Sequence, residues 1–152
     1  NRELELKSVA SKLNSQEKDI LSKIDNMIEK QIELKNKLSL LENKVLYKAI
    51  ESSFVNPEVI DGVKVVEVEL EPNLISRLAK IKDRSNYLIF AFSIQGDLVL
   101  ITDRDFNLGA ILKKVLVKMG KKGGGRPDFA RTKLEHNEIK EVIDSVKENI
   151  FG

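Results

Sequence analysis

The chain has 152 residues, 33% of them charged, yet its formal net charge is only +2. That length holds one ordinary domain, or a smaller one with an extension, since domains cluster around ~100–150 residues. Both signs are interleaved, which excludes a uniformly basic tail, so affinity for nucleic acid has to come from a local patch. The chain has no cysteine, which excludes disulfides and thiolate zinc sites and fits a reducing, cytoplasmic setting. No apolar run approaches the roughly 18 residues of a membrane span, and the charged first residues are unlike a signal peptide. The expectation is a soluble protein with no membrane partner.

From Ile20 the apolar residues step by four and three through Ile24, Met27, Leu34, Leu38, Leu41 and Val45, with Gln31 the one polar member. This is a heptad seam, and it predicts a long helix over about 16–53. Asn14 and Ser15 supply side-chain oxygens for its start, Glu17 completes a capping box, and Pro57 forbids continuation. A shorter amphipathic stretch, Leu4 to Leu13, precedes it. Such an arm cannot bury its seam alone, so it packs on the globular part, folds on itself, or pairs with a second chain. Lys23, Lys30, Lys37 and Lys44 flank the seam on one side, with Ile28, Lys35, Glu42 and Ala49 on the other. In a parallel homodimer only Lys37 would meet an acidic partner, Glu42, so the charges do not specify a simple two-stranded zipper. The lysine row reads either as a solvated face or as a rail along a phosphate backbone.

After Pro57 the period changes to two. Val63, Val65 and Val68 predict a strand over about 63–70, and Pro72 opens a short helix bearing Leu74, Ile75, Leu78 and Ile81. Asn86 to Ile94 reads as a strand buried on both faces, returned by a Gly96-Asp97 turn to a strand over Leu98 to Thr102. Leu108, Ile111, Leu112, Val115, Leu116 and Met119 form one helical face, and Ile139, Val142, Ile143, Val146 and Ile150 another. The fold class is therefore α+β: a coiled-coil-like arm over 1–56, then a small α/β domain over 57–152 with a mixed sheet of at least three strands flanked by helices.

The local patch lies between Asn107 and Lys133. There Lys113, Lys114, Lys118, Lys121, Lys122, Arg126, Arg131 and Lys133 face Asp128 alone, a net of seven positive charges, so the remainder of the chain carries a net of minus five. Lys114, Lys118 and Lys121 are expected opposite the apolar face of a helix that leads into a loop, Gly123-Gly124-Gly125-Arg126-Pro127-Asp128-Phe129. Glycines let a ligand approach main-chain amides, and Arg126 can fork onto a phosphate. The run also reads as a plain connector, although Pro127 stiffens it and Phe129 can anchor it. It matches neither a Walker loop nor a dinucleotide fingerprint. The lone His136 sits between Glu135 and Glu138 near a helix start and reads as a surface residue. Asp103 and Asp105 suit a turn and a helix start better than a magnesium site. The residues imply no catalytic group, metal or cofactor in this chain.

The run Gly120 to Phe129, GKKGGGRPDF, resembles the signature near the C-terminus of alanyl-tRNA synthetases. The arm from Val9 to Glu42 is similar to the segment that follows their editing domain. The order strand, helix, hairpin, helix, glycine loop and helix is similar to the small domain associated with DHH phosphoesterases. The family commonly continues the loop with Ala-Gln-Ala-Gly-Gly, where this chain has Ala130-Arg131-Thr132-Lys133-Leu134. It often begins the preceding helix with histidine and glycine, of which Asn107-Leu108-Gly109-Ala110 keeps the glycine. The resemblance implies a non-catalytic C-terminal region that dimerises through Ile20, Ile24, Met27, Leu34, Leu38, Leu41 and Val45. It also implies tRNA binding through Lys113, Lys114, Lys118, Lys121, Lys122, Gly123, Gly124, Gly125, Arg126, Arg131 and Lys133. The parent would be an alanine-tRNA ligase, or a stand-alone alanyl-tRNA editing protein. The alternative is a purely oligomerising module without RNA binding. The charged start Asn1-Arg2-Glu3 fits an excised fragment.

Overall fold

The computed structural model describes residues 2–80 and 85–152. Two compact units divide at Leu41 and Glu42. The first lies within one helix, α1 (Arg2–Ser53), 52 residues without interruption. The expected start at Asn14-Ser15 is corrected: residues 4–13 and 16–53 are a single helix. A cap forms only where the backbone leaves helical angles, and no glycine or proline between Arg2 and Ser53 makes it do so. Asn and Ser inside a helix cost only about 0.5 kcal/mol each relative to better formers. Every seam residue from Ile20 to Leu41 is exposed within its unit, with Ile24 the least so at 45%.

The second unit is built on a six-stranded sheet in the order β1-β2-β3-β4-β6-β5, and the expectation of at least three strands is met by β1 (Glu58–Ile60), β2 (Val63–Glu69), β3 (Tyr87–Phe92), β4 (Asp97–Thr102), β5 (Gly123–Arg126) and β6 (Phe129–Lys133). It is mixed: β2 and β3 run parallel, and all other neighbours antiparallel. β1 and β2 are joined by Asp61-Gly62, both at positive φ (52° and 79°), the turn whose twist suits a two-residue hairpin. β3 stops at Phe92, two residues before the expected end. Ile94 is 72% exposed in the turn between the strands, and Asp97 already belongs to β4.

Side chains alternate across the sheet and give it two cores. On one face Val63, Val65, Leu88, Phe90, Leu98, Leu100 and Ala130 meet α3 (Leu108–Lys118) and α4 (Ile139–Phe151). On the other, Val66, Val68, Ile89, Val99 and Ile101 meet the short helix α2 (Pro72–Ile75), Leu78 of a following 3-10 turn, and Leu46 and Ile50 of α1. Ile81, expected on that short helical segment, lies outside the described residues. β3 is buried on both faces because both cores need it, as its continuous apolar run predicts.

The last turns of α1 thus belong with the sheet. Leu46 and Ile50 are each 1% exposed, whereas the neighbouring seam residue Val45 is 55% exposed. Within this unit the helix presents Leu46 and Ile50, and not Val45, to the sheet. Arg77 fastens this part of the helix, its Nε lying 2.7 Å from Glu42 and its Nη1 3.2 Å from Asn43 Oδ1. Across the sheet, Lys147 of α4 reaches Glu67 at 2.9 Å and Glu58 at 3.3 Å. Burial opposes its charge, but these two carboxylates outweigh that and hold the Lys147 pKa above its ordinary value.

Candidate nucleic-acid interface

The glycine segment is not a loop. Gly123 to Arg126 form β5, the edge strand, paired in register with β6: Gly123 with Thr132, Gly124 with Arg131, Gly125 with Ala130, and Arg126 with Phe129. The glycines are there because α3 lies directly on this strand. A Cβ on Gly109 would run into the backbone of Gly125, and one on Gly123 would come within 2.7 Å of Thr132 Cβ. A Cβ on Gly125, at φ +157°, would meet the Phe129 carbonyl. The third residue of Asn107-Leu108-Gly109 and the last of the glycine triplet therefore form one contact. Its purpose is close helix-to-strand packing. Pro127 and Asp128 turn the hairpin, and their carbonyls accept hydrogen bonds from the amides of Leu108 (3.0 Å) and Thr102 (3.1 Å).

The eight basic side chains do not form one continuous surface. α3 ends at Lys118, so Lys121 lies beyond the helix on which it was expected. It is half-buried, with its Nζ 3.5 Å from Glu138. Lys114 and Lys118 are exposed and four residues apart on α3, and Lys118 lines the groove between α3 and α4 with Glu141 and Glu148. Lys113 falls on the other flank of α3, the side of Gly109 and Leu116 that packs on β5. Lys122 is exposed just before β5, and its carbonyl accepts the Thr132 hydroxyl at 2.8 Å.

The remaining three emerge on the opposite face of the sheet. Ala130 points into the α3–α4 core, so Phe129, Arg131 and Lys133, which alternate with it, point the other way. Arg126, directly opposite Phe129, places its guanidinium over that ring at 5.7 Å from the centroid and 3.9 Å from Asp128. Arg126, Arg131 and Lys133 are exposed, and among the described residues Arg131 and Lys133 have no ion-pair partner. The patch is thus a band around the β5 edge, with Lys113 and Lys122 on one side and Arg126, Arg131 and Lys133 on the other.

The other candidates have local duties. Asp103 accepts the amides of Asn86 (2.7 Å) and Tyr87 (3.0 Å) and closes the end of the β3–β4 pair. Asp105 accepts the Asn107 amide at 3.1 Å, just before α3. Burial, with added repulsion from Asp103 and Asp128, pushes the Tyr87 phenol up, so it stays a neutral core group beside Phe54. His136 is exposed in a 3-10 turn, His136–Glu138, whose Glu138 side chain takes the Glu135 amide at 3.0 Å. Among the described residues no cluster of histidine and carboxylates could hold a metal ion, and no helix is long and apolar enough to cross a membrane.

Comparison with known proteins agrees with this architecture. The chain is 27% identical to the alanine-tRNA ligase of Hydrogenovibrio crunogenus over 159 aligned residues, and 28% identical to that of a Thermoanaerobacter species over 172. These alignments take in 96% and 95% of this chain but only 18% and 19% of those proteins, so the chain spans less than a fifth of their length. The C-Ala domain of Aquifex aeolicus alanyl-tRNA synthetase shares the fold with a TM-score of 0.53 at 19% identity, covering 64% of this chain and 100% of that domain. So does a DHH-domain member of the s1p family of ribosomal proteins, with a TM-score of 0.54 at 18% identity over 76% of this chain and 31% of that one. The DHHA1 domain family matches residues 43–151, a span that opens beside the boundary between the compact units and takes in the last turns of α1. On that match the chain belongs to the DHHA1 domain family, as a homologue of part of the alanine-tRNA ligases.

Proposed function

We propose that this chain is the non-catalytic C-terminal region of a cytoplasmic alanine-tRNA ligase, which holds tRNA for the catalytic parts of its parent and associates chains through α1. The observation that carries the reading is the band of cations around the β5 edge in a homologue of those ligases. Lys113, Lys122, Arg131 and Lys133 are its strongest members, because none has an ion-pair partner among the described residues, and Arg126 joins them although Asp128 lies 3.9 Å from it. Lys121 is paired with Glu138 and Lys118 shares a groove with Glu141 and Glu148, so these two contribute less. Gly123, Gly124 and Gly125 act indirectly, by letting the strand that carries Arg126 lie against α3.

Contacts of this kind go to phosphates, so binding is strongly salt-dependent and weakly sequence-dependent. With Lys122→Ala and Arg131→Ala combined, tRNA affinity at moderate salt is expected to fall by about tenfold or more, and the slope of log affinity against log salt by about two. Filter binding over a salt series measures both. An unchanged slope in a variant that melts like the parent refutes the assignment.

The exposed seam favours association through α1, as a set of large apolar side chains on one stripe needs a partner to leave water. Placing aspartate at Leu34 and Leu38 is expected to leave a monomer by light scattering at concentrations where the parent chain is larger. If the parent is itself monomeric, the seam does not join copies of this chain. A chain that associates but never binds tRNA would be an oligomerising module, the reading that the division of the basic residues between two faces supports.

A further inference from the structure

We propose that the groove between α2 and the β4–β6 pair receives a single unpaired RNA base carrying an exocyclic amine. The inference rests on the reading of this chain as an RNA-binding domain, and it adds what the domain takes besides phosphate. The groove has a volume of about 210 Å³, and six of its lining residues define its chemistry: Ile75, Ser76, Asp97, Val99, Phe129 and Arg131. Pockets for drug-sized ligands occupy about 300–1,000 Å³, so this one suits one flat ring system.

The walls meet the two needs of an unstacked base, an apolar or aromatic surface for its faces and polar groups for its edge. Ile75 and Val99 are buried core residues whose outer edges form the floor, and Phe129 is half-buried beside them. Arg131, on the same face of β6, is exposed and has no partner among the described residues, so it is free to meet the phosphate of the same nucleotide.

Asp97 supplies the selectivity. Its Oδ2 accepts the Ser93 hydroxyl at 2.8 Å, while Oδ1 makes no hydrogen bond among the described residues. An ionised carboxylate only accepts, so it favours an amine such as that of cytosine or adenine and disfavours the carbonyl that uracil presents at the corresponding position.

The test is fluorescence anisotropy with the full chain and labelled single-stranded oligocytidylate and oligouridylate, beside folded tRNA. Oligocytidylate is expected to bind about tenfold more tightly than oligouridylate, which is the discrimination of one well-placed edge contact. Asp97→Asn, whose amide can donate to a carbonyl, is expected to erase that preference. Ser76→Phe fills the groove from an exposed position and is expected to weaken both oligonucleotides several-fold while the melting curve stays near the parent's. Equal binding of the two oligonucleotides by the parent chain overturns the proposal, as does a folded Ser76→Phe variant that binds them normally. If tRNA is still held with a steep salt dependence in that case, the phosphate-binding reading stands and the groove alone is wrong. If neither tRNA nor oligonucleotide binds, the RNA reading itself fails and takes the groove with it.

Discussion

A fragment beginning at Glu42 is expected to fold cooperatively, and one beginning at Pro57 is not. The shorter fragment retains every strand, but it loses Leu46 and Ile50, each 1% exposed, and uncovers the sheet face carrying Val66, Ile89, Val99 and Ile101. Truncating one fully buried leucine or isoleucine costs about 2–5 kcal/mol, so removing two costs on the order of 4–10 kcal/mol. A domain of this size has about 5–15 kcal/mol in total. The Arg77 guanidinium would also lose Glu42 and Asn43. Urea unfolding followed by circular dichroism decides the matter. A single sigmoidal transition is expected for 42–152, and a broad, sloping one with dye-accessible apolar surface for 57–152. Equal midpoints for the two fragments would mean that the helix does not stabilise the sheet.

Gly109→Val is expected to be the most damaging single substitution near the β5 edge. The new Cβ would be driven into the backbone of Gly125, where relief requires moving α3, with Leu108, Leu112 and Leu116 all buried beneath it. Overpacking costs about 1–3 kcal/mol where side chains can yield, and more where only backbone can. A fall in Tm of about 10 °C or more follows for a domain of this length. Ala110→Val is the control, since Ala110 is exposed and such sites usually stay within about 0.5 kcal/mol. Similar melting temperatures for the two variants would show that the close approach of α3 to β5 is dispensable.

Much of the architecture could be read from residue patterns, and the gaps have physical causes. The continuous apolar run of β3 and the helical faces of α3 and α4 are statements about burial, which side-chain chemistry records directly. β5 was hidden because three glycines carry no period; their strand exists only through pairing with β6, a tertiary fact. β6 was hidden for a related reason, since Arg131 and Lys133 lie on an open rim of the sheet, so its alternation looks polar. The Asp61-Gly62 turn between Ile60 and Val63 was a legible hairpin signal that marks β1. In the candidate interface, the count of cations was visible but their division between two faces was not, because it depends on the pleat of β6 and on where α3 stops. The capping pattern at Asn14 to Glu17 misled for the opposite reason: a local motif is only a permission, and the helix continued through it.

Val45 and Leu46 are neighbours in sequence, yet one is exposed on the seam and the other is sealed against the sheet. Successive residues of a helix point about 100° apart, which follows from 3.6 residues per turn. Lesions on the two stripes should therefore have separable consequences, with seam variants altering subunit stoichiometry at unchanged domain stability and sheet-facing variants doing the reverse. On the association proposed for the seam, the number of copies that gather could change without altering how each copy folds.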